Sequence, residues 1–277
     1  MTDAGSRLLQ VEGLSKEFQM RRGVGGWLQR EEGAVRRAVD DVSFELGRGE
    51  ILGLAGGSGS GKTTVARCLI RLTEPDAGHV RLDDVDVLAA GRKELRGLRR
   101  RMQMVFQDPY ASLNPRMTVG RALHEAGRVH RRPGSEDKDA FVSRLLSLVQ
   151  LSDRIAARKP GELSGGQRQR VAVARALAVD PELIIADEAV SALDVSVQAQ
   201  VLNLFLDLRD ELGVAILFIA HQLAVIAEVA DRIAVMHEGR VVEVGETKAV
   251  FERPQDPYTR TLLAAHPHPD PRHRTLA

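Results

Sequence analysis

The chain is poor in cysteine. Cys68 is the only one in 277 residues. A single thiol cannot close an internal disulfide, which fits a reducing compartment. Its place on an apolar helical stretch reads as a small buried residue. Long hydrophobic runs are also missing. Val214 to Ala220 is among the longest, far below the roughly 20 apolar residues of a spanning helix. The first ten residues, MTDAGSRLLQ, hold no apolar core of a secretory leader. A soluble, cytoplasmic protein is the expectation. There is no surplus of charge either, with 39 basic residues against 38 acidic. Bulk charge therefore gives no reason to expect nucleic acid or a membrane surface as a partner. The basic run Arg96 to Arg101 has no aromatic residues interleaved and reads as a solvated helix face.

What is present is glycine in one place. Glu50 to Thr64 reads EILGLAGGSGSGKTT. Ile51, Leu52, Leu54 and Ala55 form an apolar run that predicts a buried strand. Gly56, Gly57, Ser58, Gly59, Ser60 and Gly61 follow, then Lys62, Thr63 and Thr64. Val65, Ala66, Leu69 and Ile70 continue as a helix. The spacing from Gly56 to Gly61-Lys62-Thr63 is that of a phosphate-binding loop. Glycines let the backbone curl around a polyphosphate, and the helix start turns its amides and dipole toward it. Lys62 supplies a mobile charge for the β- and γ-phosphates, and Thr63 a hydroxyl for Mg²⁺. The pattern implies a nucleoside triphosphate.

Around this loop the chain reads as an α/β protein of one large domain, or a domain with a subdomain. Leu8 to Val11 predicts a strand, with Phe18 following. Phe18 suits either a core position or a surface on which a base stacks. Residues 21–33 predict an exposed loop holding Trp27. Val39, Val42, Phe44 and Leu46 have strand-like spacing, and His79 to Val87 reads as a strand and hairpin. Met102 to Phe106 predicts a strand ended by Gln107. From Val119 to about Arg158 the pattern is helical, with a polar break at 132–138. This predicts a helical insertion between strands of the core. Leu163-Ser164-Gly165-Gly166-Gln167 opens an amphipathic helix with Ser164 as N-cap. It is a second, incomplete anion site.

Leu183 to Ala186 predicts a buried parallel strand ending in Asp187-Glu188. Carboxylates at such an end sit where ligands bind in open α/β sheets. Neighbours on a strand face opposite ways, so Asp187 is expected to hold Mg²⁺ and Glu188 to activate water. Ser191 to Asp194 predicts a turn, Val197 to Leu212 a helix, and Val214 to Ala220 a strand with His221 at its functional end. Arg232 to Val244 reads as a hairpin around Glu238-Gly239. His124 and His130 lack any such context. His266, His268 and His273 lie in a Pro-rich tail that reads as loose chain rather than a metal tract.

By Leu163 to Gln167 the sequence resembles the ATP-binding subunits of ABC transporters. VFQDPYASLNPRMTV (Val105 to Val119), SALDVSVQAQVLNL (Ser191 to Leu204) and DPYTRTLLAAHP (Asp256 to Pro267) resemble the oligopeptide/dipeptide importer branch. The resemblance implies roles. Phe18 would stack on adenine, and Gln107 would sense Mg²⁺ and the attacking water. Ser164 and Gly166, with Gly165 and Gln167 around them, would contact nucleotide held by an opposite subunit. Asp187 and Glu188 would be the Mg²⁺ residue and the general base. Asp194 would belong to a cross-subunit loop, and His221 would hold the γ-phosphate. Gly57 stands where this branch usually has Glu, Ala189 where it has Pro, and Gln222 where it has Asp. The tail has no cysteine cluster of the kind some relatives use for an iron–sulfur centre.

The expected fold is a P-loop α/β core with an antiparallel β portion near the N-terminus and a helical subdomain at about 108–165. Residues 1–250 would form the ATPase domain and 251–277 an extension. The expected function is ATP hydrolysis driving import of a small solute, with peptides first, through separate permease subunits at the inner face of the membrane. ATP and Mg²⁺ are the implied cofactors. A second ATP-binding subunit packed head-to-tail, the permeases and a solute-binding protein are the implied partners. An ATPase serving a soluble complex, such as one for phosphonate breakdown, and a non-hydrolysing nucleotide-binding module are the alternatives.

Overall fold

The computed structural model describes residues 7–19, 35–108, 113–129 and 137–265. The Trp27 loop, His130, most of the polar break and the tail histidines lie outside the described residues.

Two sheets form the frame. The antiparallel one has the order β2 (Val35–Gly47), β1 (Arg7–Gln19), β4 (Ala77–Leu82), β5 (Val85–Asp86). The larger has the order β10 (Arg240–Glu246), β9 (Arg232–His237), β3 (Ile51–Gly56), β8 (Ala215–Ile219), β7 (Leu183–Asp187), β6 (Met102–Val105). Every pairing from β9 to β6 is parallel, and β10 closes the edge as an antiparallel hairpin partner of β9. The hairpin around Glu238-Gly239 is where the sequence puts it.

β1 runs well beyond the expected Leu8–Val11. Its pairing with β2 slips between Leu14 and Lys16, where Asp41 takes φ 55 on the facing strand. Such a bulge breaks the two-residue alternation by which a strand is recognised. Val39 and Val42 are accordingly three residues apart yet both buried.

The parallel strands are buried on both faces, and their alternate residues serve two cores. Ile51, Ala55, Ile184, Ala186, Ile216 and Phe218 point to one. Leu52, Leu54, Leu183, Ile185, Leu217 and Ile219 point to the other. This is the two-residue side-chain period of a strand with no solvated face. The first core is covered by α3 (Val119–Val129), α4 (Lys138–Leu148), α5 (Gly165–Leu177), α6 (Val195–Leu212) and α7 (Leu223–Val229), with Val250 beside them. Phe205 of α6 meets Phe218 edge-on with ring centres 5.5 Å apart. The second core lies under α1 (Lys62–Leu69), α2 (Arg92–Arg101) and the antiparallel sheet. Cys68 is fully buried there, and desolvation pushes its thiol up to about 11. It acts as a small apolar filler, as expected.

Two expectations are corrected. Lys138 opens α4 rather than ending the polar break, because Asp137 caps it by accepting from the amides of Asp139 and Ala140. The basic face of α2 is not simply solvated. Arg99 donates to the carbonyls of Ile70 and Arg71 (2.9 and 2.7 Å). Arg101 and Arg48 both pair with Asp83 and Glu182. These arginines tie α2 to the chain on either side of it.

Candidate nucleotide site

The parallel strands all end on one rim, and the chemistry collects there. β3 runs into the phosphate loop, Gln107 follows β6, Asp187 ends β7, and His221 follows β8. Two glycines of the loop have no substitute. Gly56 takes φ 149 and Gly61 φ 106. A Cβ on Gly56 would lie 2.3 Å from the Met236 carbonyl oxygen, and one on Gly61 would lie 2.2 Å from that of Ala38. The loop is thus wedged between β9 and β2. The Gly239 amide also donates to the Ser60 carbonyl (3.0 Å).

An open cleft of about 520 Å³ lies over the loop. Ser58, Gly59, Gly61, Lys62, Thr63 and Thr64 form its floor, with Gln107 and Glu188 on one side and Phe18, Arg36 and Ala38 on the other. Lys62 is buried, and its Nζ donates to the carbonyls of Gly56 (2.8 Å) and Gly57 (2.9 Å) and to Ser60 Oγ (3.2 Å). Burial pulls its pKa down, against the pull of Glu188 and Asp187. An arriving anion would favour its charged form.

Thr63 Oγ1 donates to Asp187 Oδ1 at 3.0 Å. Asp187 is 3% exposed. Burial raises its pKa above the ordinary carboxylate value, partly offset by that hydrogen bond. Glu188 is oriented differently. Gln107 Nε2 donates to Glu188 Oε2 (2.8 Å), and His221 Nδ1 lies 3.8 Å from the same oxygen. The Glu188 backbone sits at φ 47, a strained conformation for a side chain of this size. Its amide donates to the Ile219 carbonyl (3.0 Å), and its carbonyl accepts from Ser191. Asp187 and Glu188 thus have different side-chain partners.

Phe18 is 42% exposed on the wall of the cleft, with Lys16 Nζ 5.6 Å from its ring centre. Arg36 was not legible as a site residue. It is the cross-strand partner of Phe18, and its Nη2 donates to the Gly59 carbonyl (3.3 Å). β2 runs against the loop here, with the Ala38 carbonyl packed on Gly61.

Ser164, Gly165, Gly166 and Gln167 are elsewhere. Ser164 Oγ accepts from the Gln167 amide (3.2 Å), and Gln167 Oε1 accepts from the Ser164 amide (3.1 Å). This reciprocal cap starts α5. Gly165 lines a separate cleft of about 410 Å³ with Gln107, Asp108, Arg168, Gln169 and residues 189 and 191–193. Asp194 caps α6 by position without a side-chain bond, and Val195 beside it is 83% exposed. The structure thus brings Lys62, Thr63, Gln107, Asp187, Glu188 and His221 together. It leaves the Ser164 turn and Asp194 apart from them.

A family model described as ABC transporter matches residues 39–191. The chain belongs to the ABC transporter family. A second model, described as the C-terminal region of oligopeptide/dipeptide transporters, matches residues 242–277. Among curated relatives, a Sinorhizobium fredii protein bears the name "Probable peptide ABC transporter ATP-binding protein y4tS". It is 49% identical over 98% of this chain and 75% of its own length. The glutathione import ATP-binding protein GsiA of Salmonella choleraesuis is 50% identical, over 98% of this chain and 43% of its own length. Among solved structures, the ABC cassette MJ0796, a dimer bound to ADP and Pi, has a TM-score of 0.75 at 27% identity. It covers 87% of this chain and 99% of its own. The P-loop ABC fold expected from the sequence is therefore the fold observed. Among the described residues of this ABC protein, no helix is long and apolar enough to cross a membrane.

Proposed function

We propose that this chain is the ATP-hydrolysing subunit of an importer for peptides or peptide-like solutes. It would pair head-to-tail with a second ATP-binding subunit and drive separate permeases at the inner face of the membrane. The observation that carries hydrolysis is the convergence of Gln107 and His221 on Glu188 beside the phosphate loop. The peptide class rests on the names of the relatives and on the C-terminal match. Residues 1–250 would be the ATPase domain, with 108–165 as its helical subdomain and 251–277 as an extension.

Each residue has a task in this reading. The loop amides and Lys62 hold the β- and γ-phosphates. Phe18 offers its exposed ring to adenine. Arg36 adds a cation on that side of the cleft. Glu188 accepts a proton from the attacking water, with Gln107 fixing the carboxylate and His221 placed to meet the γ-phosphate. Thr63 and Asp187 are adjacent hard oxygen donors, a set that fits Mg²⁺. When bound, that ion neutralises charge on the phosphates. Ser164, Gly165, Gly166, Gln167 and Asp194 would serve nucleotide on the partner subunit.

Glu188→Gln tests the assignment. Loss of a positioned base lowers turnover by about 10²–10⁴-fold, while ATP binding through Lys62, Thr63 and the amides is retained. Trapped ATP then favours the paired state by mass action. Light scattering during size exclusion should find a dimer with ATP and a monomer without. A variant that hydrolyses ATP at close to the parent rate places the base on another residue.

A further inference from the structure

The phosphate loop is held from a second direction by the C-terminal extension. Helix α8 (Pro257–Ala264) begins at Asp256, whose Oδ1 accepts from the Tyr258 amide (2.7 Å). The turn before it is fastened to β10. Glu243 accepts from the amides of Gln255 (2.8 Å) and Asp256 (3.1 Å). Tyr258 then lies flat on His237, the last residue of β9, with ring centres 3.7 Å apart and planes 20° apart. Its hydroxyl accepts from the Gly57 amide at 3.0 Å.

That amide shares a peptide plane with the Gly56 carbonyl, and in a trans peptide the two point in opposite directions. The Gly56 carbonyl accepts from Lys62 Nζ at 2.8 Å. One planar unit is therefore gripped by Tyr258 on one side and by the Lys62 ammonium on the other. Rotation of this peptide would break both contacts at once. Glycine pairs leave the backbone dihedrals otherwise free, so these two contacts add to the wedging of Gly56 and Gly61 in holding this peptide. Position 57 also lacks a side chain where one would crowd Tyr258. A Cβ there would lie 3.1 Å from the hydroxyl.

We propose that Tyr258 is a positioning residue for the phosphate loop: its hydroxyl fixes the Gly56–Gly57 peptide and, through that carbonyl, the place of the Lys62 ammonium. Pre-ordering removes from nucleotide binding the cost of fixing the loop. Tyr258 touches neither the cleft nor the groups around Glu188, so it acts on affinity and not on the chemical step.

The test rests on the nucleotide site proposed above and uses the full chain, MgATP titration calorimetry and steady-state hydrolysis. Tyr258→Phe keeps the ring on His237 and removes the hydroxyl. Losing one neutral hydrogen bond and the pre-ordering should raise the Kd and KM for MgATP by roughly three- to tenfold, with kcat nearly unchanged. Gly57→Ala should weaken MgATP binding in the parent and cost nothing further in the Tyr258→Phe background, since residues in contact are not additive. An unchanged Kd in Tyr258→Phe, a change in melting temperature alone, or strictly additive effects would each overturn the proposal. If Lys62→Ala binds MgATP as tightly as the parent, the site assignment itself fails, and Tyr258 has nothing to position.

Discussion

Asp187 and Glu188 are adjacent in the chain, and their surroundings set different chemistry. Asp187 is buried and its pKa is raised, so its charge weakens the native state at neutral pH. That penalty disappears as pH falls through the native pKa toward the ordinary value of about 3.9. Asp187→Asn keeps an acceptor for Thr63 and removes the charge. It should melt higher than the parent at pH 7, with an advantage that shrinks as the buffer is acidified toward about pH 4. Turnover should be lost throughout. Thermal scans across that range check it, and equal melting at pH 7 would mean that Thr63 and the nearby cations already offset the burial. Lys62, Asp187 and Glu188 were legible because their types and spacing are dictated by phosphate chemistry. Arg36 and Tyr258 were not. Arg36 reaches Gly59 from a neighbouring strand 23 residues away, and Tyr258 lies some 200 residues from Gly57 in sequence. No local pattern records either contact.

At the scale of elements, the start of α5 does two jobs. Its reciprocal cap is readable from Ser164 and Gln167, but its packing is not. A Cβ on Gly166 would lie 2.4 Å from Val197 Cγ1 on α6. Gly166 thus lets two helices approach closely, quite apart from any nucleotide. Gly166→Ala should cost about 1–3 kcal/mol of stability, the usual penalty for overpacking. Val197→Ala should restore most of it in the double variant. Urea titrations would show the recovery, and additive losses would remove the contact as the cause. The strands of the large sheet and the helices that follow Gly61, Ser164 and Asp194 were legible from apolar period and caps, while the short helices Leu223–Val229 and Pro257–Ala264 were not. The length of β1 and the buttressed arginines of α2 were not. A bulge resets the strand alternation, and charged side chains reaching backbone carbonyls look solvated in sequence.

For the molecule as a whole, the parallel sheet sets the layout. Strand ends from four parts of the chain deliver the loop, Gln107, Asp187 and His221 to one rim. The Ser164 turn opens another cleft. If paired chains each lend one cleft to the other, a lesion in either cleft can be answered by the partner. Take one chain with Lys62→Ala and another with Ser164→Arg. In a mixed pair, one site carries both faults and the other carries neither. Random pairing of equal amounts should leave about a quarter of all sites whole. Two preparations that are each inert should therefore regain ATPase activity on mixing, and a mixture that stays silent would refute the exchange. In genetic terms, the two mutations would complement each other although they lie in the same gene.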